Sequence, residues 1–130
     1  MSNNLVVNKN DLIRTIEDKS ISGIIRPLVN EIHLFDTFIA GTTHLEDSSV
    51  LDDLTAGYKV NLRREENKFD EKAILVQDQS GRKLGYIPEK DNLIFSRLMD
   101  AGKLLIGKVG GIKIHGTFHK IDIGIYLVDY

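Results

Sequence analysis

A chain of 130 residues fits one domain with a short appendage, and its 42% hydrophobic and 28% charged residues suit a globular fold that buries its own core. The absence of cysteine excludes thiolate catalysis, cysteine-type zinc sites and disulfide bridges. A net charge of −2 argues against a non-specific nucleic-acid coat, although the balance is uneven, −5 over residues 1–56 and +3 over residues 57–130.

In chain order, Leu5-Val6-Val7 is the one apolar run near the start, far short of a signal-peptide core or a membrane span, so a soluble cytoplasmic protein is expected. Leu12, Ile13 and Ile16 fall on one face of a short predicted helix with Asn10 as its N-cap. Ile21, Ile24, Ile25 and Leu28 form a second apolar patch, broken at Arg26 because the residue before Pro27 is pushed out of helical space. Residues 1–30 therefore read as a partly helical arm, and residues 31–130 as the main domain.

Strand character dominates the rest. Phe35–Gly41 is a short apolar segment, and after it Asp47 or Ser48 can cap one or two turns through Val50, Leu51 and Leu54 that Gly57 would end. Tyr58, Val60 and Leu62 alternate with Lys59, Asn61 and Arg63, a period-2 strand. Ala73–Val76, the turn residues 77–81 and the run Lys83–Ile87 make a hairpin, with Gly81 free to take positive φ. Pro88 opens the clearest helix, near 89–101, whose apolar face is read as Ile94, Phe95, Leu98 and Met99, and Gly102 stops it. Leu104–Val109 and Ile112–Ile114 flank Gly110-Gly111, and Ile121, Ile123, Ile125 and Leu127 alternate with Asp122, Gly124 and Tyr126 in the last strand. The fold class expected is mainly β with α: a small, closed or partly closed barrel of five to seven short strands, one main helix and short accessory helices.

Three stretches, in order, resemble the HIRAN domain family, in the manner of its short stand-alone bacterial members. They are Phe38-Ile39-Ala40-Gly41-Thr42-Thr43-His44; the segment from Arg63 to Ile74, similar to the signature R-x-x-x-N-x-[YF]-D-x-x-A-I through Asn67, Phe69, Asp70 and Ala73; and Gly85-Tyr86-Ile87-Pro88 leading into the main helix. The resemblance spans about Leu34 to Leu127. It implies an OB-like barrel and a module that grips the 3′-hydroxyl end of single-stranded DNA in repair or fork processing. It also implies no catalysis of its own, no cofactor, and a repair or replication protein as a partner for the N-terminal arm. Family members that bind DNA ends carry Arg-Tyr-Tyr in the stretch where this chain has Thr42-Thr43-His44, with Thr43 standing in for a phosphate-reaching arginine and His44 for a stacking tyrosine. Glu89 occupies the position of a phosphate-contacting lysine.

The chemistry of the matched segment fits end capture. A terminal nucleotide offers a π-face, a hydroxyl that donates to a carboxylate, and phosphates that need cations. Phe69 matches the stacking residue and Asp70 the hydroxyl acceptor, with Asn67 on the base or sugar and Tyr86 beside them. Arg63, Arg64, Lys68 and Lys72 are the nearby cations. Plainer readings stand next to these: Asn67 and Asp70 as an Asx loop holding its own backbone, Phe69 as a core plug, His44 as a bare loop residue, and Arg63 and Arg64 as a solvated strand edge. His115 and His119 would share a face for metal only in a helix, and strand patterns flank them. The carboxylates Glu65, Glu66, Asp70 and Glu71 lack the partners of a magnesium site elsewhere in the chain. The rival to nucleic-acid binding is a protein-interaction adaptor that keeps the fold; a basic, aromatic-lined cleft around Phe69 would favour the former, a neutral or acidic one the latter.

Overall fold

The computed structural model describes residues 30–129, so the predicted helix at Asn10–Lys19 and the patch Ile21–Leu28 lie outside the described residues. Within them the order is β1 (Asn30–Phe38), two short 3-10 turns (Thr42–His44 and Ser48–Asp53), β2 (Lys59–Arg64), β3 (Ile74–Gln77), β4 (Lys83–Tyr86), α1 (Asn92–Asp100), β5 (Leu105–His115) and β6 (Phe118–Asp129). The six strands form one sheet in the order β1-β6-β5-β2-β3-β4. Its two edges are joined by the residues that follow β1. Ile39 N donates to Ile121 O on β6 at 2.9 Å, while Ala40 exchanges two hydrogen bonds with Tyr86 on β4, 2.8 Å and 2.9 Å. The sheet thus closes on itself through this short segment as a small OB-like barrel, with β1 itself an end strand of the sheet.

The interior follows from strand alternation. Val60 and Leu62 of β2, Ile74 and Val76 of β3, Leu84 of β4, Leu105 and Val109 of β5, and Ile121, Ile123 and Ile125 of β6 all point inward and are buried. The runs on either side of Gly110-Gly111 belong to one strand. β5 passes through the glycine pair as a bulge, with register shifting between Val109 and Ile112 against β6. His115 and His119 lie on this β5–β6 hairpin, opposite Phe118 and Ile114 respectively, and not on a helix.

The main helix starts three residues later than Pro88 would place it, and its buried face is not the one expected. Asn92, Phe95 and Ser96 are buried, Leu98 and Met99 are half-buried, and Ile94 is 66% exposed, so Ile94 does not belong to the core face assigned to it. Residues 89–91 form a turn, and α1 presents the stripe 92, 95, 96 and 99 to the barrel. Its end is a Schellman motif at Gly102 (φ 92), with Lys103 N to Leu98 O at 3.0 Å and Gly102 N to Met99 O at 2.9 Å. The expected capped turn is a 3-10 turn in which the Asp47 carboxylate accepts from Ser49 N at 3.0 Å.

The β3–β4 turn is organised by a buried carboxylate. Asp78 is 1% exposed and accepts from Ser80 N (3.0 Å), Arg82 N (2.8 Å) and the Arg82 guanidinium (2.7 Å). Burial pushes its pKa up, but the hydrogen bonds and charge of Arg82 and the Ser80 amide outweigh burial and hold it below the ordinary 3.8. A depressed folded pKa stabilises above the unfolded value and fades as pH falls through the folded one. Asp78→Ala should therefore cost about 1–3 kcal/mol at pH 7, through donors left without their acceptor. In urea titrations the gap between wild type and variant should shrink as pH is taken well below the ordinary carboxylate range; an unchanged gap would show that the carboxylate charge is not what holds the turn.

Candidate functional site

The loop between β2 and β3 folds on its own polar groups. Arg64 closes its base, donating to Ala73 O (2.6 Å), Glu71 O (2.8 Å) and Asp100 Oδ1 on α1 (2.9 Å). This arginine is committed to the loop and to the helix behind it. At the tip, Asn67 Oδ1 accepts from Phe69 N (2.9 Å) and Asp70 N (2.7 Å), an Asx turn, while its amide donates to Glu65 Oε2 (3.1 Å). The same Glu65 oxygen accepts from the Tyr86 hydroxyl at 2.7 Å, so loop and β4 are tied by one polar chain. Asp70 is fixed at both oxygens: Oδ1 accepts from Lys72 N (2.9 Å), and Oδ2 from the side-chain amide of Asn92 (2.8 Å). Asn92 is 1% exposed at the first turn of α1, and it had no place in the sequence reading of the site.

Because backbone and polar side chains hold the loop, Phe69 is not needed for its core. Its ring is 84% exposed, with Lys68 Nζ 5.2 Å from its centroid. The core-plug reading of Phe69 is therefore incorrect, and the Asx-loop reading of Asn67 describes the geometry. Phe69 overhangs a cleft of about 350 Å³ walled by Ala40 and Gly41, by Asn67 and Asp70, and by Tyr86 and Glu89. Asp70 and Glu89 give this lining two carboxylates, and no Lys or Arg contributes to it.

Asn67, Phe69, Asp70 and Tyr86 are thus gathered around one cleft, whereas Thr43, His44 and Arg63 are not in its lining. Thr43 and His44 are exposed on the 3-10 turn, which Thr42 anchors by donating to His119 O (3.3 Å). His44 lines a second groove together with Arg82 and Lys83. Arg63 is exposed on β2 opposite Leu75, which is in turn opposite Tyr86, so it stands two strands, about 10 Å, from the cleft wall. Lys83, absent from the sequence reading of the site, sits at the cleft's edge with Nζ 4.5 Å from the Tyr86 ring centroid. Among the described residues no cluster of three His, Asp or Glu side chains has metal-holding geometry, and no helix is long and apolar enough to cross a membrane.

An OB-like barrel with an exposed aromatic beside a small, mostly apolar cleft that carries two carboxylates is an arrangement suited to holding a ligand. The HIRAN domain model matches residues 32–127, and the chain belongs to that family. It is similar to a protein from Lactobacillus plantarum of known crystal structure, with a TM-score of 0.73 and 27% identity over 78% of this chain and 99% of that one. It is also similar to the HIRAN domain of human HLTF, with a TM-score of 0.62 and 15% identity over 80% of this chain and 82% of that one, which speaks for the fold alone. No curated protein matches the chain.

Proposed function

We propose that this chain is a nucleic-acid-binding module, not an enzyme, that captures the 3′-hydroxyl end of single-stranded DNA in the setting of repair or fork processing. The observation that carries this reading is Phe69, a ring 84% exposed on a loop braced by hydrogen bonds, next to a carboxylate fixed in a cleft. A solvent-exposed aromatic held in place by other groups is a stacking platform awaiting a planar ligand. In this reading the terminal base stacks on Phe69 and meets Tyr86, Asp70 accepts from the terminal hydroxyl, and Asn67 shapes the loop. Thr43, His44 and Arg63 meet the strand outside the cleft, and the arm over residues 1–30 is left for a protein partner. The family resemblance in the loop signature supports the same assignment.

One observation favours a second reading, a protein-interaction adaptor: the cleft is lined by two carboxylates and by no cation. Titration of a labelled single strand decides between them. Phe69→Ala should weaken binding by about 1–3 kcal/mol, the loss for one base–aromatic stack. Full affinity in the folded variant would remove Phe69 from the interface, and no binding by wild type would leave the adaptor.

A further inference from the structure

We infer that Lys83 holds the phosphodiester next to the captured end, and that the groove between the Thr42–His44 turn and β4 is the path by which the strand reaches the cleft; this rests on the end-capture reading above. The cleft and a groove of about 530 Å³ are bounded by the same two pieces of chain. Gly41 and Tyr86 line the cleft; His44 and Lys83, a few residues along the same segments, line the groove. The Ala40–Tyr86 bridge holds these two segments together at the junction.

Charge then selects the ligand atom. Inside the cleft Asp70 and Glu89 repel phosphate, so the backbone charge of a bound strand must be met outside it. The groove also carries two carboxylates, Glu46 and Asp47, the latter capping its own turn by accepting from Ser49 N and Oγ, so a phosphate there needs an uncommitted cation. Of the two cations in the groove, Arg82 is committed to Asp78 (2.7 Å) and Asp53 (3.2 Å). Lys83 has no carboxylate within ion-pair distance among the described residues; its ammonium rests against the Tyr86 ring at 4.5 Å. A base that takes the ring displaces that ammonium, and the long lysine stem carries it to the adjoining phosphate. Such a contact adds affinity without reading sequence.

The test compares two oligonucleotides, both ending in a 3′-hydroxyl, whose last internucleotide linkage is either a phosphodiester or an uncharged methylphosphonate. Wild type should prefer the phosphodiester. Lys83→Met should lose about three- to tenfold on the phosphodiester, the span between an exposed ion pair and a charge-assisted hydrogen bond. It should lose less than about twofold on the methylphosphonate, and Lys83→Arg should restore the preference by keeping the charge. The salt slope of binding should fall by about 0.7 in Lys83→Met, one phosphate fewer. If wild type binds hydroxyl ends but Lys83→Met loses nothing, or loses equally on both linkages, the assignment of Lys83 is overturned while end capture stands. If wild type binds neither oligonucleotide, end capture itself fails and Lys83 with it.

Discussion

Replacing Gly85 with alanine is expected to lower stability by about 3 kcal/mol, combining overpacking with strain at a backbone conformation closed to other residues. Gly85 has φ 152°, and a Cβ there would run into the Ala40 carbonyl oxygen and lie 2.6 Å from Ile39 Cγ2. Both obstacles belong to the segment that closes the barrel, and Ala40 is paired to Tyr86 on both its backbone groups, so neither can retreat without opening the closure. For a domain of this size the loss corresponds to a melting-temperature drop on the order of 15 °C. Gly81→Ala is the control: φ is 86°, but nothing lies within 4 Å of the added carbon, and only the local left-handed cost of about 1–2 kcal/mol applies. Thermal melts of the two variants should differ clearly. Equal melting temperatures would mean that the barrel is not pinned at Ala40–Tyr86. Since Ala40 and Tyr86 also wall the cleft, Gly85→Ala should weaken ligand binding even where it remains folded.

Most of the barrel was legible because its strands alternate cleanly. Val60 and Leu62, or Ile121, Ile123 and Ile125, are buried where period 2 puts them. Two features escaped for definite reasons. The runs on either side of Gly110-Gly111 do not reveal that the pair is a bulge inside one long strand, where β6 supplies an unbroken partner on the other side. The helix face was misjudged because Leu93 and Ile94 are apolar but exposed, while the polar Asn92 and Ser96 are buried. Hydrophobicity alone cannot announce a buried polar residue whose partner lies elsewhere in the chain. For Asn92 the partner is Asp70, 22 residues away.

The candidate site's loop conformation was legible in the signature segment, and its surroundings were not. Asn67, Phe69 and Asp70 come together because the loop folds on itself, a local matter that sequence displays. Lys83 was hidden by a register shift. On a regular strand, residues three apart point to opposite faces, which would separate Lys83 from Tyr86. In β4, Gly85 is opposite Val76 and Lys83 is opposite Gln77, so Leu84 is an extra residue and Lys83 returns to the Tyr86 side. Arg63 and Arg64 were read together as neighbouring cations. Alternation sends them to opposite sides of β2, and four hydrogen bonds to the loop and to Asp100 occupy Arg64.

The chemistry of the strand end offers the most direct trial of the proposed capture. Asp70 is held by Lys72 N and by Asn92 with a lone pair left on each oxygen, so as a carboxylate it has room to accept a ligand's hydrogen bond and donates none. A 3′-hydroxyl satisfies it, whereas a 3′-phosphate brings like charge against both Asp70 and Glu89. A hydrogen bond to a charged group contributes about 1.5–3 kcal/mol, so the hydroxyl end should win by roughly tenfold or more. Asp70→Asn keeps the size and the acceptor for Lys72 N, and a flip of the Asn92 amide can meet its new donor. It should narrow the gap between the two ends chiefly by improving phosphate binding. The measurement is a competition titration of one oligonucleotide ending in hydroxyl or in phosphate, against wild type and Asp70→Asn, at one fixed salt concentration. The account predicts a wild-type preference for hydroxyl that shrinks in the variant; equal wild-type affinity for both ends would contradict it.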